Sequence, residues 1–79
     1  NPITSIGYDL PNDDFVNIAV YDMKGRLVKS LINNLENSGS KSVLWNATNN
    51  RNESVSAGLY IYTIQVGNFR QTKKMVLLK

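Results

Sequence analysis

The six carboxylates are the side chains of this sequence best suited to acid–base chemistry, because it contains no His and no Cys. Without His it lacks the usual general base and the commonest transition-metal ligand. Without Cys, thiol catalysis and ordinary zinc sites are excluded as well. Asp13 and Asp14 are neighbours, and alternation along an extended backbone points them apart. Glycoside chemistry needs two carboxyls facing one another across ~5–9.5 Å. Asp22, Glu36 and Glu53 have no spacing that brings them together. Ser and Thr have no base partner to activate them, and no glycine-rich phosphate loop occurs. Turn formation and hydration account for the carboxylates. The reading is of a chain with no catalytic residue, no metal ligands, no cofactor and no small-molecule substrate.

Residues 46–54 are the best place for a cation. Asn46, Asn49, Asn50 and Asn52 lie there, and Asn side chains and backbone carbonyls ligate Ca²⁺. Hard-cation sites usually draw on several carboxylates, however, and this stretch holds only Glu53. Asn also suits turns with left-handed backbone, which is the simpler reading. Asn46-Ala47-Thr48 and Asn52-Glu53-Ser54 match the N-glycosylation pattern, as an Asn-rich chain does by chance. Trp45, Tyr60, Tyr62 and Phe69 would make a stacking platform for sugars or bases if they shared an exposed face. Their places on alternating strands suit a core instead; for Tyr8 and Tyr21 the choice stays open. The net charge of +3 is spread out, and its densest group is Arg70, Lys73, Lys74 and Lys79. Solvated strand faces and edge protection explain that group better than nucleic acid or a membrane surface.

The elements that must carry these residues are short and alternating. A chain of 79 residues suits one domain, and with no disulfide its core must hold it alone. Ile6, Tyr8 and Leu10 alternate with Ser5, Gly7 and Asp9, as in a half-buried strand. After the turn 11–14, Val16, Ile18 and Val20 alternate with Asn17, Ala19 and Tyr21. Asp22-Met23-Lys24-Gly25 then closes a turn, with Asp bonding to the backbone ahead and Gly tolerating positive φ. Leu27, Val28, Leu31, Ile32 and Leu35 fall at helical spacing. The stretch is nonetheless read as a bulged strand, because it is short, follows a Gly turn and sits among strands. Val43 and Trp45 share one face of the next strand, with Leu44 opposite. Tyr60, Tyr62 and Ile64 line one face of the run 59–66. Gly67-Asn68 makes a type II′ hairpin turn into a return strand over 69–78.

About seven short strands with turn signals between them mean an all-β sandwich or barrel. The predicted core is Ile6, Tyr8, Val16, Ile18, Val20, Val43, Trp45, Tyr60, Tyr62 and Ile64. Met75, Val76, Leu77 and Leu78 are expected to bury as the end strand joins it. No apolar run reaches transmembrane length. Asn1-Pro2-Ile3 carries no signal-peptide core. Because the chain starts without Met, it is expected to be cut from a longer protein.

Four segments carry a family likeness. Asn1-Pro2-Ile3-Thr4-Ser5-Ile6 reads as an Asn-Pro entry into a strand. In the run from Val16 to Val28, Tyr21-Asp22-Met23-Lys24-Gly25-Arg26-Leu27-Val28 is the most specific motif, with Asp22, Gly25 and Arg26 at its turn. Val43-Leu44-Trp45-Asn46 is followed by Val55-Ser56-Ala57-Gly58-Leu59-Tyr60-Ile61-Tyr62. Last comes Thr72-Lys73-Lys74-Met75-Val76-Leu77-Leu78-Lys79. Together they resemble the type A C-terminal sorting domain of proteins exported by the type IX (Por) secretion system of Bacteroidetes-like bacteria. They equally resemble the related immunoglobulin-like domain of the flagellar hook-capping protein. One departure is Asn46-Ala47, where the family often has Asp-Gly after the Trp.

The resemblance implies an immunoglobulin-like antiparallel β-sandwich of about seven strands, spanning residues 1–79 as one C-terminal sorting domain. It implies a non-catalytic export address that rides behind a cargo domain through the periplasm and outer membrane to the cell surface or medium. Its expected partners are the type IX translocon and the sortase-like surface machinery, with no nucleic acid. The residues such partners would read are Lys73, Lys74, Met75, Val76, Leu77, Leu78 and Lys79. Two other readings stand beside it. One is a structural immunoglobulin-like module, as a spacer or of the hook-capping type. The other is a carbohydrate-binding accessory domain, which the lack of an evident exposed aromatic row disfavours.

Overall fold

The computed structural model describes residues 3–79, so Asn1 and Pro2, and with them the Asn-Pro entry, lie outside the described residues. Every regular element in it is a strand: β1 (Thr4–Leu10), β2 (Asp14–Asp22), β3 (Leu27–Glu36), β4 (Gly39–Trp45), β5 (Gly58–Val66) and β6 (Phe69–Leu77). They form two antiparallel sheets, one of order β1-β4 and one of order β3-β2-β5-β6. The layers pack face to face as an immunoglobulin-like sandwich. The strands number six, where about seven were expected. Residues 46–54 supply no seventh, because Ala47 and Asn52 take left-handed φ values near 62° and only one bridge, Thr48 to Ser54, forms there.

Strand β2 lies inside the larger sheet, between β3 and β5, and its inward residues Val16, Ile18 and Val20 are fully buried. Each such side chain contributes about 1.5–3 kcal/mol on burial. Around β2 the core divides into two clusters. One holds Ile6, Leu10, Val16, Ile18 and Ile64; the other holds Val20, Trp45, Ala47, Tyr60 and Leu77. Tyr8, Val43 and Tyr62, expected inside, are half-buried and pack against these clusters from the side. Leu10, Ala19 and Ala47 are buried residues missing from the predicted set, while Leu77 is buried as expected of the end strand.

The ambiguous stretch is indeed a bulged strand. Ile18 faces Ile32 and Ala19 faces Ser30, so Leu31 is an extra residue in β3. Val20 faces Lys29 and Tyr21 faces Leu27, so Val28 is another. A bulge returns two successive residues toward one side, and both Val28 and Leu31 pack on the core. Two bulges in ten residues therefore imitate helical spacing. Leu27 and Leu35, the outer members of that pattern, are exposed.

The turns follow their local chemistry. Gly67 has a φ of 56° while Asn68 is not positive, as a type II′ turn requires. Gly25 has a φ of 83° and donates its N–H to the Asp22 carbonyl at 3.0 Å.

Candidate functional site

Three places hold the residues singled out by sequence: the turn after β2, the loop 46–54 and strand β6. At the turn, one Asp22 carboxylate oxygen accepts the backbone N–H groups of Lys24 and Arg26, each at 2.9 Å. Its other oxygen accepts Arg26 Nε at 2.9 Å. The Asp22 N–H donates in turn to the Arg26 carbonyl. Hydrogen bonding from the Arg26 backbone, then its guanidinium and the Lys24 backbone, holds the Asp22 carboxyl below the usual carboxylate range. Asp22, Gly25 and Arg26 thus form a turn clamp in which both Asp22 carboxylate oxygens are engaged within the chain.

Trp45 and Tyr60 join the second core cluster as an edge-to-face pair, with ring centroids 5.3 Å apart and planes at 69°. Trp45 is 1% exposed, and its indole N–H donates to the Thr48 carbonyl at 2.8 Å. The Tyr60 hydroxyl donates to the Ser56 carbonyl at 2.6 Å. This ties β5 to the chain entering it, as tyrosine corners do in other sandwiches. Burial, with the Asp22 charge adding, raises the Tyr60 pKa above the ordinary phenol value. These rings are core, and no stacking platform exists there. Phe69 departs from the expectation: it is exposed at the start of β6.

The loop 46–54 is organised around a cation that the chain itself supplies. Lys29 Nζ, reaching across from β3, donates to Thr48 Oγ1 at 3.3 Å, the Asn49 carbonyl at 3.0 Å and Asn52 Oδ1 at 3.0 Å. An ammonium has three donors, and all three are used. Asn50 Oδ1 accepts the Ser30 N–H and the Asn50 N–H donates to the Val28 carbonyl, so the loop is also stitched to the bulged edge of β3. Asn49 Oδ1 caps the backbone N–H groups of Arg51 and Glu53. Asn46 Oδ1 accepts the Thr48 hydroxyl. Sequence reasoning missed Lys29, since its partners lie about twenty residues away with no motif between them. Lys29→Met, which keeps an unbranched stem, is expected to cost about 1–2 kcal/mol, a charged hydrogen-bond contribution discounted for partial exposure. Urea unfolding measures it, and a chelator leaves the melting temperature of the parent chain unchanged.

Asp13 accepts the Ser38 N–H and Asp14 the N–H of Phe15. Glu36 accepts the Tyr8 hydroxyl at 3.4 Å, and Glu53 accepts Asn49 Nδ2 at 3.0 Å. Burial first, and Glu36 second, raise the Tyr8 pKa. Among the described residues no group of three or more carboxylates, Cys or His converges.

Strand β6 is an edge strand, as its charge suggested. Of the four apolar residues at its end only Leu77 is buried, at 3% exposure, and Met75 is half-buried. Val76 and Leu78 are 61% and 76% exposed, contrary to the expectation that the whole run buries. Val76 faces outward opposite Leu59, and Leu78 has left the sheet. Lys73 and Lys74 lie opposite Tyr62 and Ile61, so the pair points to opposite faces and makes no single basic patch. Lys79 Nζ donates to Ser54 Oγ at 2.7 Å, tying the last residue to the loop.

A two-layer sandwich whose motif residues close turns and fill the core defines a non-catalytic, structural immunoglobulin-like module. Residues 3–69 match the model of the FlgD Ig-like domain, and the chain belongs to that family. A solved structure of FlgD from P. aeruginosa has the same fold, with a TM-score of 0.73 at 22% identity. The superposition covers 96% of this chain and 61% of that one. No curated protein matches.

Proposed function

We propose that this domain is a structural module that holds or positions neighbouring parts of an extracellular or surface assembly, in the manner of a hook-capping protein. The family match across residues 3–69 carries this reading. The site geometry supports it, because Asp22, Gly25, Arg26, Trp45 and the loop 46–54 are each consumed in shaping the sandwich. A location outside the cytoplasm accords with the family in general terms.

A second reading, the type IX export address, rests on one observation. Lys74, Val76 and Leu78 at the chain end are exposed and free of core duties. Fusing residues 1–79 behind a signal peptide and a fluorescent reporter, in a host with type IX secretion, separates the two. The structural reading expects the reporter to stay in the periplasm with a folded, protease-resistant domain. Delivery to the surface or medium overturns it in favour of sorting, and the translocon and surface machinery then become the partners. Under sorting, replacing Lys73 and Lys74 by Ser reduces export while leaving the fold nearly as stable, since exposed charges contribute little.

A further inference from the structure

The charges of this domain are sorted between the two ends of its sandwich. Four of the six carboxylates gather at one end, where the turns after β1 and β3 meet. There Asp14 lies opposite Glu36, Asp13 accepts the Ser38 N–H and Asp9 accepts the Ser40 hydroxyl. Lys41 and Arg70, opposite Tyr8 and Gln65, are the cations of that half. The other half holds the turn 23–26, the start of β5 and the end of β6. Lys24, Arg26, Lys74 and Lys79 stand there, with Arg51 in the adjoining loop. Its carboxylates among the described residues are Asp22, bonded to Arg26, and Glu53, bonded to Asn49. The net charge of +3 is therefore concentrated in this second half.

The same half presents apolar side chains to solvent. Met23, Leu27, Leu59, Val76 and Leu78 are each about half exposed or more. On the outward face of the larger sheet this surface is continuous. Leu27 lies opposite Tyr21 and Tyr21 opposite Ile61, while Leu59, two residues from Ile61, lies opposite Val76. Lys74 extends the row of Tyr21 and Ile61. The outward rows of the four strands contain Arg70 and Lys74 and no carboxylate. A contiguous exposed apolar patch marks an interaction site. This one is not built around a cleft. Clefts lie at the acidic end instead, one between Pro11 and Phe69 and one between Phe15 and Gly67. Protein partners are anchored mostly by side chains that fill pockets. A lipid headgroup layer asks only for projecting apolar side chains with cations among them.

We propose that this end of the domain docks on the surface of a bilayer containing anionic lipid. Met23, Leu59, Val76 and Leu78 enter the headgroup layer, and Lys24, Lys74 and Lys79 meet the headgroup phosphates. The acidic end points away from the bilayer, so the sorting of charge orients the molecule. Two copies meeting through this end would oppose cation to cation. Edge protection accounts for the lysines of β6 taken by themselves. It does not account for cations of the turn, of β6 and of the segment after it standing beside exposed apolar side chains at one end. The inference rests on that placement and not on the assembly reading.

Co-sedimentation with vesicles of phosphatidylcholine containing about one third phosphatidylglycerol tests it. The chain is expected to bind these vesicles and not pure phosphatidylcholine, more weakly as salt rises. Lys74→Glu weakens binding about tenfold or more. Lys73→Glu, equal in net charge but on the opposite face of β6, weakens it far less. Leu59→Ser together with Val76→Ser also weakens it, at exposed positions that leave the circular dichroism spectrum unchanged. The chain has no Cys, so Met23→Cys and Asn12→Cys each accept one polarity-sensitive dye. Anionic vesicles shift the emission to the blue at position 23 and not at position 12. No binding to anionic vesicles, equal binding to neutral ones, equal loss in the two Lys variants, or a blue shift at position 12 overturns the proposal. So does soluble polyglutamate binding as tightly as the vesicles, which assigns this end to an acidic protein instead.

Discussion

Trp45→Ala lowers the stability of this domain by about 3–5 kcal/mol, the range for removing a large buried aromatic side chain. Three effects add. The indole leaves a cavity in the cluster of Val20, Ala47, Tyr60 and Leu77. Tyr60 loses its edge-to-face partner, a contact contributing about 0.5–1.5 kcal/mol beyond area. The Thr48 carbonyl loses the indole N–H, and Thr48 itself is buried. Against a total on the order of 5–10 kcal/mol for a small domain, this is a large share. The melting temperature falls by roughly 15–30 °C, read by circular dichroism because the variant has no Trp left to fluoresce. Trp45→Phe keeps much of the packing and loses the hydrogen bond, so it costs about 1–3 kcal/mol. A drop of only a few degrees for Trp45→Ala contradicts the burial on which this rests.

Leu77→Ala costs about 2–4 kcal/mol, whereas Val76→Ala and Leu78→Ala each cost less than about 0.5 kcal/mol. Leu77 fills the second core cluster from the edge strand, while its two neighbours stand in solvent. The cavity term sits toward the lower end, because an edge strand relaxes into the space more easily than a central one. Urea unfolding of the three variants gives the comparison directly. Equal costs at all three positions contradict the geometry of β6. The contrast also separates structure from recognition at the chain end. An effect of Leu77→Ala on export or assembly follows from unfolding, whereas an effect of Val76→Ala or Leu78→Ala on a fully stable chain reports contact with a partner.

Much of this protein was legible in its sequence because the deciding interactions are local. The turn at Asp22 was readable because an Asp side chain reaches only the next few backbone N–H groups, and those are the ones it binds. Gly67-Asn68 was readable because positive φ is a property of one residue. The faces of β2 and β5 followed from alternation, and seven of the ten predicted core residues are buried: Ile6, Val16, Ile18, Val20, Trp45, Tyr60 and Ile64. Arg26 was singled out at this turn through the family motif, but its side-chain bond to Asp22, four residues away, was not read.

Tertiary structure decided what alternation leaves open. A period of two separates two faces but does not say which of them another layer covers. Phe69 shares the inward side of its hairpin with Val66 yet is exposed, because the two-stranded sheet ends before reaching β6. Leu77 is buried and Leu78 is not, because the sheet ends between them. The ammonium of Lys29 reaches the Asn-rich loop only because β3 and that loop are brought together across twenty residues. The absence of His and Cys, the strand pattern and the turns are properties of residues and their immediate neighbours, so the sequence alone determined them. Layer coverage and the internal cation depend on how many strands each sheet acquires and where each sheet ends, which no local spacing encodes.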